Sequence, residues 1–412
     1  MRAIEERLAK RAQGKQPSLI RELLKFARLP GMISLGGGYP NPDTFIFSSV
    51  ALNFKGSEKV IELKGDNLIA ASQYGPSRVD PSLEPLLKDW HKTKGGVDLP
   101  DNGICVLNGS QEGLFIAAYL LVDEGDSIIV SEPTYPGAIS AFSSFKATYV
   151  PITLQRDGMD TDELAETLST LQKENKKLPK FIYTIPNGHN PGGVTMSLAK
   201  RKKLLEVAEQ YDILVIEDDP YELISYTDEK ITSLQELDTE GRVIRFDSFS
   251  KIFVPGFRVG YVSGNPEIVR HFELFKQSSN LHTSTFNQRI LAAYLGEEGP
   301  PALLKHIKTS CAKYNVHRSA IVKAAKELLP ETVQFEEPKS GLFVWFRLAE
   351  GTDAGAMHEK FTESHKVLLV PGYGFSTKGG CRNCMRASFS SVAPETLREG
   401  IERFAKMIKD FD

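Results

Sequence analysis

Residues 213–221 read Ile-Leu-Val-Ile-Glu-Asp-Asp-Pro-Tyr, four apolar side chains running straight into three acids, a proline and a tyrosine. A short apolar run without alternation, bounded by turn residues, reads as a strand buried on both faces, as in a parallel sheet. Six further runs share the pattern: ICVLN (104–108), DSIIVSE (126–132), ATYVPITL (147–154), KFIYTIPN (180–187), VIRFDSF (243–249) and RVGYVSG (258–264). Amphipathic stretches alternate with them, clearest at SQEGLFIAAYLL (110–121) and LAKRKKLLEVAEQY (198–211), and Ser110 is placed to cap the first. The alternation predicts an α/β large domain over residues 46–300. Its core is a seven-stranded, mostly parallel sheet flanked by helices. After about residue 300 the pattern changes, with helical stretches around QFEEPKSGLFVWFRL, KVLLVPGYGF and MRASFS. This predicts a smaller α+β domain over 301–412, with residues 1–45 forming an N-terminal arm and part of that domain.

Bulk properties narrow the function. A net charge of −3 offers no field for polyanions, so nucleic acid is not an expected partner. No run approaches the roughly 18 apolar residues of a membrane span. The opening MRAIEERLAKRAQGK lacks the apolar core of a secretory signal, and Glu5 and Glu6 are unlike an organelle presequence, so a cytoplasmic location is expected. Four cysteines in 412 residues are too few for a disulfide scaffold. Cys381-Arg-Asn-Cys384 has redox or half-zinc spacing, but no second close pair accompanies it, and a structural role is expected. There is no Walker motif and no GxGxxG; Gly36-Gly37-Gly38 reads as a turn.

Ligands of parallel α/β sheets collect beyond the carboxyl ends of the strands, and the polar residues of this chain gather there. The start of the helix at Ser110 and Gln111 presents open backbone N–H groups to an anion, and Ser248, Ser250 and Arg258 can add hydroxyls and a guanidinium. Asp218, at the end of an apolar strand, needs a cationic partner such as a protonated heteroaromatic nitrogen. Tyr221 and Asn190 suit a ring hydroxyl oxygen, Tyr135 offers a flat face, and Lys251 an amine. Taken singly, Asp218 could be a helix cap, Tyr135 core packing and Arg258 a surface ion pair. Together they describe a pocket for a phosphorylated pyridine carrying an aldehyde.

These residues resemble the fold-type I, pyridoxal 5'-phosphate-dependent aminotransferases of class I/II over nearly the whole chain. The likeness rests on Asn187-Gly-His-Asn190-Pro-Gly-Gly193, Asp218-Asp-Pro-Tyr221, Ser248-Phe-Ser-Lys251 with Pro-Gly-Phe-Arg258-Val-Gly260, and Arg386 in Met-Arg-Ala-Ser-Phe. It implies that Lys251 bonds the cofactor aldehyde and moves the substrate proton, that Asp218 pairs with the ring nitrogen, and that Asn190 and Tyr221 hold the ring oxygen. Ser110, Gln111, Ser248, Ser250 and Arg258 match the phosphate cup, Tyr135 the stacking ring and Arg386 the clamp on the substrate carboxylate. Tyr74 matches a tyrosine that reaches the phosphate from a partner subunit, which implies a homodimer with shared sites. Two positions depart from the pattern: Gly192 stands where a threonine is usual, and Ser77-Arg-Val-Asp80 where a glycine is common.

Ser18-Leu-Ile-Arg21, Ile33-Ser-Leu-Gly-Gly-Gly38-Tyr-Pro-Asn-Pro42 and the Asp218 motif resemble the kynurenine/2-aminoadipate and aromatic branch. That likeness implies transfer from an aromatic amino acid, kynurenine or 2-aminoadipate to a 2-oxo acid such as 2-oxoglutarate. Gly38 would lie against the substrate, and Arg21 would meet a distal polar group or stay a solvated helix residue. A branched-chain or broad-specificity aminotransferase, a lyase or decarboxylase on the same cofactor, and a cofactor-binding regulator remain alternatives.

Overall fold

The computed structural model describes residues 2–19, 23, 26, 29–33, 35–229 and 232–411; Arg21 lies outside them. The chain divides into two compact units. One comprises Asp123–Val243 and His306–Asp412, the other Arg2–Val122 and Ile244–Lys305.

The fold is α/β with eight strands in its main, mixed sheet. In chain order they are β1 (Ile104–Leu107), β2 (Ser127–Glu132), β3 (Thr148–Gln155), β4 (Gly158–Met159), β5 (Phe181–Thr184), β6 (Leu214–Asp218), β7 (Val243–Ser248) and β8 (Gly260–Ser263). Each of the seven expected strands forms. The eighth, β4, is two residues long and one is glycine, too little for any pattern to register.

In the first unit the order is β6-β5-β2-β3-β4. The first four run parallel, with Tyr183 paired to Ile216 and Ile129 to both Ile182 and Val150. Only β4 is antiparallel, to β3. Strands β5 and β6 are buried at every residue, which is why they read as unbroken apolar runs. The helix Leu198–Gln210, capped by the Ser197 hydroxyl, covers one face through Leu204, Val207 and Ala208 packed on Val215 and Ile182. Beyond residue 306 the same unit carries an antiparallel three-stranded sheet, in which Phe343–Arg347 pairs with Cys384–Ser388 and the latter with Val370–Pro371. The terminal helix Pro394–Phe411 closes it through Leu397, Ile401 and Phe404 against Phe346 and Met385.

In the second unit β8 lies between β1 and β7, antiparallel to both, with Gly260 opposite Leu107 and Ser248. Residues 2–19 dock on the helix Ser110–Leu121: Ala9 N–H donates to Leu120 O at 2.6 Å and Arg11 Nη1 to Val122 O at 2.6 Å. Among the described residues no helix is long and apolar enough to cross a membrane.

Candidate active site

The second unit gathers the anion-binding set. Gly109, at φ 81°, is the N-cap of the helix that starts at Ser110, so Ser110 is its first helical residue and not the cap that the sequence suggested. Glycine offers no side-chain capping bond, and the positive φ explains why it holds the cap. Ser110 and Gln111 therefore stand in the opening turn, at the positive end of the helix dipole. Arg258 comes back on this turn in a left-handed conformation (φ 52°) and donates from Nη2 to Asn108 O at 3.1 Å. From Nη1 it donates to Ser250 Oγ at 2.9 Å. A Cβ on Gly109 would fall 2.4 Å from Arg258 Nη2, so glycine is also what admits the guanidinium. Ser248 Oγ accepts from Ser250 N–H at 3.2 Å, which ties Ser248 to the serine whose hydroxyl Arg258 holds. Lys251 follows in an exposed turn anchored by the buried Phe249, whose carbonyl accepts from Phe253 N–H at 2.9 Å.

The first unit gathers the ring and carboxylate set. Asp218 ends β6, buried, and its Oδ2 accepts from the phenol of Tyr183 at 3.0 Å. Tyr221 is buried three residues on, and burial, with the charge of Asp218, pushes its phenol well above the ordinary range. It stays a neutral donor. Asn190 is buried and its Oδ1 accepts from Arg386 Nη1 at 2.8 Å, which leaves its Nδ2 as a donor for an oxygen. The guanidinium of Arg386 is bedded between two rings, 4.3 Å from the centroid of Phe343 and 5.0 Å from that of Phe375. Burial lowers its pKa, and its Nε is a buried donor with no hydrogen-bond partner. A planar cation short of acceptors in an aromatic bed is suited to a carboxylate.

Two supports of this set escape sequence reasoning. Arg201, fully buried, donates from Nη2 to Asn187 Oδ1 at 2.6 Å, and Asn187 Nδ2 donates to Asp219 Oδ2 at 2.6 Å. This chain ties the Asn190 loop to the Asp218 loop. Glu132, buried, accepts from Thr377 N–H and Oγ1, each at 3.0 Å, and from Ser376 Oγ. With Thr134 N–H donating to Phe375 O at 2.8 Å, it fixes the segment from which half-buried Tyr135 projects to the loop that carries Phe375. Neither link shows in sequence spacing, because each joins residues far apart in the chain.

Some expected positions are not brought into either set. Nothing stands within 4 Å of a Cβ built on Gly38, which is exposed. Tyr74 is 52% exposed and touches His282 edge-on, at 6.0 Å between ring centres. The departure at Ser77–Asp80 is absorbed locally, with Asp80 accepting from Ser82 and from Arg289 Nε at 3.1 Å. Cys381 and Cys384 are free thiols sharing a hydrogen bond, and no cluster of three metal-binding side chains exists among the described residues.

The family model for aminotransferases of class I and II matches residues 61–404. The chain belongs to this family. It is 39% identical to aromatic-amino-acid aminotransferase 1 of Thermococcus litoralis over 98% of its length and 95% of that protein's. It is 32% identical to the mitochondrial kynurenine/alpha-aminoadipate aminotransferase of Bos taurus, covering 96% of each. The solved kynurenine aminotransferase of Pyrococcus horikoshii, in complex with PMP, superposes with a TM-score of 0.80 at 35% identity, covering 99% of this chain and 98% of that one. This aminotransferase uses pyridoxal phosphate, and its donor sets fit that group. The helix end with Arg258, Ser248 and Ser250 suits a phosphate, Asp218 a ring nitrogen, and Nδ2 of Asn190 with the Tyr221 phenol a ring oxygen.

Proposed function

We propose that this enzyme transfers the amino group of an aromatic amino acid, kynurenine or 2-aminoadipate to a 2-oxo acid, with 2-oxoglutarate as acceptor. The observation that carries the reading is Arg386, a half-buried guanidinium tied to Asn190, bedded on two aromatic rings and without a carboxylate partner among the described residues. The names of the relatives support the choice of donor. A panel of amino donors with 2-oxoglutarate tests it. Aromatic donors or 2-aminoadipate should exceed branched-chain donors in kcat/KM by tenfold or more, a margin that one well-filled pocket can supply. Equal rates across the panel, or stoichiometric release of carbon dioxide or ammonia, would overturn the reading.

Bound pyridoxal phosphate supplies an aldehyde that condenses with amines and a pyridine ring that draws electron density from the substrate Cα. Lys251 Nζ holds the cofactor until an amino acid displaces it, then takes up the Cα proton as general base. Asp218 keeps the proton on the ring nitrogen. Arg386 grips the α-carboxylate with two parallel N–H bonds, which orients the Cα–H bond for removal.

We also propose a homodimer in which Tyr74 serves the partner's site. Supporting it, the second unit exposes apolar side chains that water disfavours: Leu35 and Ile46 at 94% each, Ile33 at 85% and Leu19 at 72%. Sedimentation at micromolar concentration should give twice the 45.7 kDa of the chain. A single-chain mass there would exclude the shared site.

A further inference from the structure

We propose that Tyr183 is a positioning residue for Asp218: its phenol fixes and partly neutralises the carboxylate, and so sets how firmly the cofactor's ring nitrogen keeps its proton. The inference rests on the reading that Asp218 serves that nitrogen.

The geometry follows from the sheet. Strands β5 and β6 are parallel neighbours, with Tyr183 opposite Ile216. Side chains two residues apart on a strand share a face and lie about 6.6 Å apart, at roughly 3.3 Å per residue. Asp218 is therefore one same-face step beyond Ile216, and a tyrosine leaning along its strand spans that step. Its Oη reaches Asp218 Oδ2 at 3.0 Å. The ring cannot swing away, because buried Phe142 meets it edge-on at 5.4 Å and 81° and packs in the same manner on Phe181.

Both groups are almost wholly buried, Tyr183 at 1% exposure and Asp218 at 2%, so the bond has no water competing for it. Burial and the Asp218 charge hold the Tyr183 phenol far above its ordinary pKa, and it remains a donor at every pH the protein tolerates. Tyr135 and Tyr221 are the other titratable groups acting on Tyr183, and Arg386 acts in turn on Tyr221. A carboxylate that accepts such a bond is less basic and takes a smaller share of the ring proton. With pyridoxal phosphate bound, Asp218 held in this way would leave the proton on the ring nitrogen and so favour electron withdrawal from the groups joined at the aldehyde carbon.

The test is Tyr183→Phe in the cofactor-loaded enzyme, read by the cofactor's own absorbance. Without the phenol, Asp218 becomes the stronger base and the ring a weaker electron sink. The midpoint of the pH titration of the absorbance band should move up by roughly 0.5–1 unit, about half of the roughly 1–2 units that one hydrogen bond to a charged group is worth, because the effect passes through Asp218. The value of kcat should fall about three- to tenfold while KM for the amino donor stays within twofold. Substituting 3-fluorotyrosine at 183, which keeps the ring and strengthens the donor, should move the midpoint down, and it supplies the answer if Tyr183→Phe fails to fold. An unmoved midpoint in whichever variant folds would overturn the inference, whatever the change in melting temperature. Asp218→Asn separates the two layers. If it leaves band and rate unchanged, the assignment of Asp218 itself falls; if it collapses both while the Tyr183 variants stay silent, only the role of Tyr183 falls.

Discussion

Replacing Lys251 by alanine should cut turnover by at least about 10⁴-fold, because on the proposed reading the one side chain carries both the covalent hold on the cofactor and the proton transfer at Cα. The phosphate contacts should survive. Arg258 is held by Ser250 Oγ at 2.9 Å and Asn108 O at 3.1 Å, the helix start by Gly109, and none of these bonds involves Lys251. Lys251→Ala should therefore still retain cofactor through equilibrium dialysis, with the absorbance of a free aldehyde in place of the amine-linked band. A rapid-mixing experiment with an amino donor gives the rate directly. Retention of more than a few per cent of the wild-type rate would remove the catalytic assignment, and loss of cofactor binding in step with activity would show that the turn had collapsed.

How much of this was legible depends on where the chemistry sits along the chain. Strands β5, β6 and β8 carry little alternation because both of their faces are buried, so each reads as an apolar block that ends where the polar residues begin, whereas β7 buries the ion pair of Arg245 with Asp247 among its apolar residues. Asp218, Tyr221, Ser248 and Lys251 stand at or just past those ends, so finding the strands brings out these candidate residues. Tyr183 is different. It lies inside the block KFIYTIPN, where an aromatic residue is expected core, and its hydroxyl acquires meaning only through the register with Ile216. Phe343 and Phe375 likewise look like packing until β-pairing sets Phe343–Arg347 beside the strand of Arg386. Ser110 shows the opposite error. A serine before an amphipathic run is the usual cap, but the close approach of Arg258 requires glycine at the preceding position, and that glycine takes the cap instead.

Arg386→Lys should cost about 10²- to 10³-fold in kcat/KM for amino acids, although it keeps the charge. Lysine is a point charge on a flexible stem. It cannot offer two parallel N–H bonds to a carboxylate, nor lie flat between Phe343 and Phe375 at 4.3 Å and 5.0 Å. Stacking of this kind contributes roughly 1–2 kcal/mol when desolvated, and a charge-assisted hydrogen bond roughly 1.5–3 kcal/mol, so losing one of each accounts for the range. The substitution also removes the Nη1 bond to Asn190 Oδ1, which fixes the amide so that Nδ2 faces outward. The loss should thus fall on kcat as well as KM. An amine without an α-carboxylate supplies the control. It never uses the clamp, so its slow reaction should differ between wild type and variant only by the part that passes through Asn190. If Arg386→Lys lowers kcat/KM less than threefold for the carboxylated donor, Arg386 is not the carboxylate receptor; if it lowers both substrates equally, its work lies in holding Asn190.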